Sequence, residues 1–191
     1  NALDWLRDEL APRYETEAAK LLKDPWAARN DYITLMLDRS DDQVTAFFQR
    51  HAKQPLNEEQ TVTALRLLEM QRHAMLMYTS CGWFFDELSG IETVQVIQYA
   101  ARALQIIQNL TGEDLESVFM ERLAQAPSNI PEHNPGKVIY EKFVKPAIID
   151  HEKLGAHFAV SSLFEQYPTK GRIYSCTFEQ QEKQMFEAGK A

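Results

Sequence analysis

The stretch 57–80 constrains the fold of this chain more than any other. Asn57 is followed three residues later by Gln60, the arrangement of a capping box, in which each side chain answers the other residue's backbone N–H. Behind it Leu65, Leu68, Met75, Met77 and Tyr78 follow helical spacing, and the apolar content rises toward the C-terminal end. That end is expected to be buried on several sides, with Gly82 loosening the chain beyond it. A second long helix is expected over 90–110, where Ile91, Val94, Ile97, Ala101, Leu104 and Ile107 form one stripe. Two such helices bury their stripes most simply against other helices, so the pattern points to a bundle.

The flanking punctuation extends the same theme. Leu3, Leu6, Leu10 and Tyr14 predict a helix over 3–22, with Pro12 a place for a kink. Asp24-Pro25 reads as an N-cap and a first-turn proline, opening a helix to about Leu37. Ser40 is expected to cap a helix to about Lys53, and Thr111 another that ends near Ala126. The three prolines of PSNIPEHNPG make 127–136 a loop, after which helical spacing returns over 137–154, interrupted at Pro146. HFAVSSLF (157–164) and GRIYSCTFE (171–179) read as strands. The expectation is a mainly α protein: a bundle of about six to seven helices over 1–155 and the start of a β region over 156–191.

Composition removes several classes of function. Of 191 residues 45% are hydrophobic and 25% charged, the balance of a globular domain, and the net charge is −8. That sign, with no Lys/Arg cluster, argues against a nucleic-acid partner. The longest uncharged run, 74–85, falls well short of the roughly 20 apolar residues of a membrane span, so no membrane partner is expected. Cys81 and Cys176 stand far apart; one bridge between them is the alternative to the expected free, buried thiols in a reducing cytoplasm. The chain begins Asn-Ala without methionine and stops at EAGKA within a pattern, so it is expected to be a piece of a longer protein.

The chemistry-bearing residues concentrate in TSCGWFFDELSG (79–90). Asp86 and Glu87 are adjacent, and on a helix neighbours splay by about 100°, too far to face one substrate bond as a catalytic pair. Trp83 and Asp86 are three apart and can share a helix face. An indole offers a flat platform to the C–H face of a sugar, and a carboxylate one turn away accepts from hydroxyls. The competing reading places Trp83 in the bundle core, and spacing alone favours it. The five histidines form no HxxxH or HExxH, Glu69 and His73 are four apart rather than three, and DHE at 150–152 stands alone, so no metal or cofactor is expected. No GxSxG and no glycine-rich phosphate loop occurs.

Residues 67–105, LLEMQRHAMLMYTSCGWFFDELSGIETVQVIQYAARALQ, together with KDPWAARNDYI (23–33), HFAVSSLFEQYP and GRIYSCTFE (157–179), resemble the C-terminal region of a subset of family-57 glycoside hydrolases, the α-amylase/α-mannosidase-like enzymes. The resemblance implies a cytoplasmic α-glucan enzyme whose incomplete (β/α) barrel, with a Glu nucleophile and an Asp acid/base, precedes Asn1 in the same polypeptide. This chain would then be its non-catalytic helical portion, inactive alone, supplying scaffold and cleft wall. Ser80, Trp83 and Phe84 echo a Ser-Asp-Trp-Pro-Phe-like segment of that family, with the acid here after the Trp. The residues implied for contact with an α-glucan oligosaccharide are Trp83, Asp86, Phe84 and Glu87. The alternative is a structural or dimerisation bundle with no ligand.

Overall fold

A computed structural model describes residues 1–173, 176–182 and 184. The chain is mainly helical and divides into two compact units, Asn1–Ile148 and Ile149–Ala191.

The first unit is the expected helical bundle, in the order α1 (Ala2–Ala18), α2 (Pro25–Asp31), α3 (Ile33–Leu37), α4 (Asp41–His51), α5 (Glu58–Leu76), α6 (Ile91–Thr111), α7 (Glu116–Leu123) and α8 (Gly136–Ile139). The capping box forms as read: Asn57 Oδ1 accepts from the Gln60 N–H at 2.9 Å, and Gln60 Oε1 accepts from the Asn57 N–H at 3.1 Å. The start of α5 shares a groove with Asn109 and Leu110 at the end of α6, so the two long helices run antiparallel. Leu67, Leu68, Met70 and Ala74 from α5 and Ile97, Ala100, Leu104 and Ile107 from α6 are all buried in one core. Leu6, Leu10 and Tyr14 of α1 are completely buried in the same core. Burying a Leu-sized side chain is worth about 1.5–3 kcal/mol, and this shared core holds the bundle together.

Several boundaries differ from the sequence reading, each for a local reason. Helix α1 runs through Pro12, which sits on the exposed face, and ends at Ala18 rather than 22. Residues 21–23 leave it to pair with 51–53, the Lys23 N–H donating to the His51 carbonyl and the Lys53 N–H to the Leu21 carbonyl, both at 2.9 Å. The helix expected from Pro25 to Leu37 breaks at Tyr32, whose ring is drawn inward to pack on Phe47 while its hydroxyl donates to Glu69 Oε1 at 2.7 Å. Ser40 makes no side-chain cap, and its own N–H donates to Asp38. Thr111 is not the cap of α7 either. It closes α6, Gly112 follows at φ 78° in the left-handed region that glycine tolerates, and Asp114 Oδ1 accepts from the Ser117 N–H at 3.2 Å instead. Past α8 the chain widens into a π turn at Tyr140–Val144 and tightens into a 3-10 turn at Lys145–Ala147, which accommodates Pro146.

In the second unit the strand expected over 157–164 is instead the latter part of a helix, α9 (His151–Ser161). Asp150 caps it, accepting from the Lys153 N–H at 2.8 Å, and Leu154, Ala156 and Ala159 are strong helix formers that the short alternation of HFAV disguises. The segment 171–179, expected as one strand, is a hairpin: β1 (Lys170–Ile173) pairs antiparallel with β2 (Cys176–Glu179), Lys170 opposite Glu179 and Gly171 opposite Phe178. Phe158 of α9 meets Phe178 at 4.5 Å and Tyr167 at 5.1 Å between ring centroids, a small aromatic cluster that gives this unit its own centre. The side chain of Cys176 lies outside the described residues.

Candidate functional site

The segment between α5 and α6 carries the candidate residues. Helix α5 stops at Leu76, and Met77 plugs the core, fully buried. The chain then makes a 3-10 turn, Ser80–Trp83, and runs irregularly to Gly90. Gly82 makes this path possible: a Cβ there would lie 2.3 Å from Val96 Cγ2, so the turn rests directly on α6. The Gly82 carbonyl also accepts from Thr93 Oγ at 3.1 Å. Cys81, on the same turn, is free and exposed rather than buried.

The helical premise for pairing Trp83 with Asp86 does not hold, because the helix has ended before either residue. The three aromatics nonetheless come out together on the surface, Trp83 54%, Phe84 80% and Phe85 56% exposed. Trp83 stacks on Tyr78 at 6.4 Å with the planes 8° apart, and Phe84 meets Phe85 edge-on at 5.0 Å. Tyr78 is fixed in turn: its hydroxyl donates to Asp4 Oδ1 at 2.7 Å, and the Arg7 guanidinium lies over its ring. Burial, with the hydrogen bond to Asp4, pushes the Tyr78 phenol up to about 12, so it stays a neutral donor. The platform under Trp83 is therefore anchored to α1.

The two acids have opposite roles. Asp86 is exposed, and among the described residues its carboxylate has no hydrogen-bond or ionic partner. Glu87 is fully engaged. Its Oε1 accepts from Ser128 Oγ at 2.7 Å, Ser89 Oγ at 2.8 Å and the Ser89 N–H at 2.9 Å, while Oε2 accepts from the Asn129 N–H at 2.7 Å. The Ser128 hydroxyl, the Ser89 donors and the Asn129 N–H together hold the Glu87 carboxyl down at about 2. It is ionised at any ordinary pH and has little acceptor capacity left for a ligand. Asn129 Nδ2 adds a bond to the Asp86 carbonyl at 2.9 Å. Ser128 and Asn129 belong to the 127–136 loop, and no short-range pattern pairs them with a glutamate 41 or 42 residues earlier.

A second titratable cluster lies where α5 and α6 meet the segment after α3. Glu69 accepts from the Tyr32 hydroxyl, Arg39 and, at 3.1 Å, Arg72. Burial opposes its charge, but the bonds from Tyr32 and Arg39 and the charge of Arg72 outweigh it and keep the carboxyl below its ordinary range. His73, only 16% exposed, sits 3.9 Å from Glu69 with its Nδ1 buried and, among the described residues, unpartnered. Burial pushes its imidazole down to about 4, Glu69 opposing and Arg72 and Arg102 reinforcing. Among the described residues no group of three or more His, Cys, Asp and Glu side chains could hold a metal ion, and no helix is long and apolar enough to cross a membrane.

No curated protein and no solved structure matches the chain. The family described as Domain of unknown function (DUF3536) matches it over residues 1–191. The chain belongs to that family.

Proposed function

We propose that the bundle is a non-catalytic portion of an α-glucan-active, family-57-like glycoside hydrolase. Its aromatic loop forms a cleft wall for a catalytic barrel carried elsewhere in the same polypeptide. The carrying observation is the joint exposure of Trp83, Phe84 and Phe85 beside the exposed carboxylate of Asp86, which is unpaired among the described residues. Flat apolar faces and a free hydrogen-bond acceptor are what a pyranose ring and its hydroxyls require. Trp83 and Asp86 are the proposed contacts, with Phe84 and Phe85 extending the apolar face. The test is titration of the 191-residue chain with maltoheptaose, followed by tryptophan emission. A saturable change that disappears in Trp83→Ala, with helical circular dichroism retained, is expected. No response at millimolar sugar overturns the reading, and so does hydrolysis of the sugar by the chain alone.

A second reading is favoured by one observation. Ile91, at the start of α6, is a further large apolar side chain that stands 80% exposed. An aliphatic side chain adds nothing to sugar recognition but suits a protein contact, as a structural or dimerisation bundle would need. Sedimentation of the chain and of Ile91→Ser distinguishes them: a dimer dispersed by the substitution supports this second reading.

A further inference from the structure

The strongest unassigned feature is the bond network of Glu87. A carboxylate offers acceptors only, and here four donors converge on it, two from its own turn and two from the 127–136 loop. That loop is closed on itself. The Gly136 N–H donates to the Ala126 carbonyl at 2.9 Å, the His133 N–H to the Ile130 carbonyl at 2.9 Å, and the Ile130 N–H to Ser128 Oγ at 3.1 Å. Ser128, whose hydroxyl reaches Glu87, is one of the few buried polar residues, 9% exposed. The tie runs from the buried Ser128 hydroxyl outward: Glu87 and Ser89 are half-buried, and Asn129 is exposed. What it fastens is also exposed, with Phe84, Phe85 and Asp86 on one side and Asn129 and Ile130 on the other.

We propose that Glu87 is a positioning residue that locks the aromatic loop to the 127–136 loop, making one composite surface for an extended oligosaccharide. The aromatic rings take the apolar sugar faces, and the Asn129 amide, tied beside Asp86, adds polar contacts further along. Glu87 itself does not touch the sugar, because its oxygens already serve the two loops. The choice of ligand rests on the carbohydrate reading above; the locking does not.

Hydrogen exchange on the 191-residue chain tests both parts. Glu87→Gln turns an amide N–H toward one set of donors. It is expected to speed exchange of 83–90 and 127–134 together by tenfold or more, while α5, α6 and the urea midpoint stay as in the wild type. Ser128→Ala, which removes one bond, should give a smaller change in the same two segments. With saturating maltoheptaose the wild type should protect both segments. Glu87→Gln should lose the protection at 127–134 and bind at least tenfold more weakly, yet keep a Trp83 emission response, a split that general unfolding would not produce. Unchanged exchange in both variants, or sugar protection of 83–90 alone in the wild type, overturns the proposal. If the wild type binds no maltoheptaose, the carbohydrate reading falls and the locking is judged on the unliganded exchange alone.

Discussion

The buried imidazole of His73 makes the bundle acid-sensitive in a window that can be calculated. In the unfolded chain its pKa is near 6.5, and in the fold it is about 4. The folded value is the lower one, so the unfolded state binds the proton first. The stabilisation that follows is complete above about pH 6.5 and is lost as the pH falls toward 4. Between pH 7 and pH 5 the difference in proton binding is worth about 2 kcal/mol. Four influences set this: Glu69 at 3.9 Å favours the proton, while burial, Arg72 and Arg102 oppose it. Stopping at pH 5 leaves most carboxylates ionised, which isolates the histidines. Urea unfolding of the wild type, His73→Phe and His73→Gln at the two pH values provides the measurement. Phe keeps a ring against Tyr99, whose centroid lies 5.9 Å away, and Gln keeps polarity, so one of them is expected to fold. The wild type should lose about 2 kcal/mol more than either variant on going to pH 5. Equal losses in all three, or an NMR titration of the His73 ring with a midpoint near 6.5, refute the reasoning.

Two glycines separate steric from conformational constraint. Gly82→Ala puts a methyl 2.3 Å from Val96 Cγ2, and Val96 is 3% exposed and stiff at χ1, so a loss of about 1–3 kcal/mol is expected. Val96→Ala should relieve it, bringing the double variant to within about 0.5 kcal/mol of Val96→Ala alone; simple additivity in urea unfolding would exclude the contact. Gly112→Ala meets nothing within 4 Å but must hold φ at 78°, so a cost of about 1 kcal/mol is expected with no neighbouring substitution able to rescue it. A neutral Gly112→Ala in thermal unfolding would mean that α6 ends differently.

The bundle was legible because its determinants are local. A capping box spans four residues and a buried stripe repeats within a turn, so Asn57, Gln60, Ile97, Leu104 and Ile107 could be read without knowing their partners. The errors fall where tertiary contacts override a local pattern. Tyr32 breaks a continuous helical signal because its hydroxyl is drawn to Glu69 and its ring to Phe47, neither of which is near it in sequence. The segment 157–164 carries too few residues of alternation to outweigh the cap at Asp150 and the alanines of α9. Spacing favours Trp83 in the core, yet it stands 54% exposed, because the helix that the spacing assumes has ended at Leu76. The resemblance implies Glu87 as a sugar contact beside Trp83, Phe84 and Asp86, whereas its carboxylate is directed to Ser89, Ser128 and Asn129.

The exposed aromatics call for an explanation that the fold alone does not provide. Met77 already closes the core at the end of α5, and Leu88 and Val94 pack against it on the far side of the turn. Residues 83–86 could therefore be small and polar at no cost to the core. Solvent-exposed aromatic side chains carry a penalty that scales with the apolar area left in water, and three in succession are not an incidental surface composition. They are also not left loose: Trp83 lies on a tyrosine bonded to α1, Gly82 rests on α6, and the residue after Asp86 is tied by its carboxylate to another loop. A connection that needed only to span the gap would require neither the aromatics nor the anchoring. Apolar faces held rigidly toward solvent lose little conformational entropy when something covers them. That rigidity is what the proposed ligand or partner surface requires, with Glu87 proposed to support the aromatic face without being part of it.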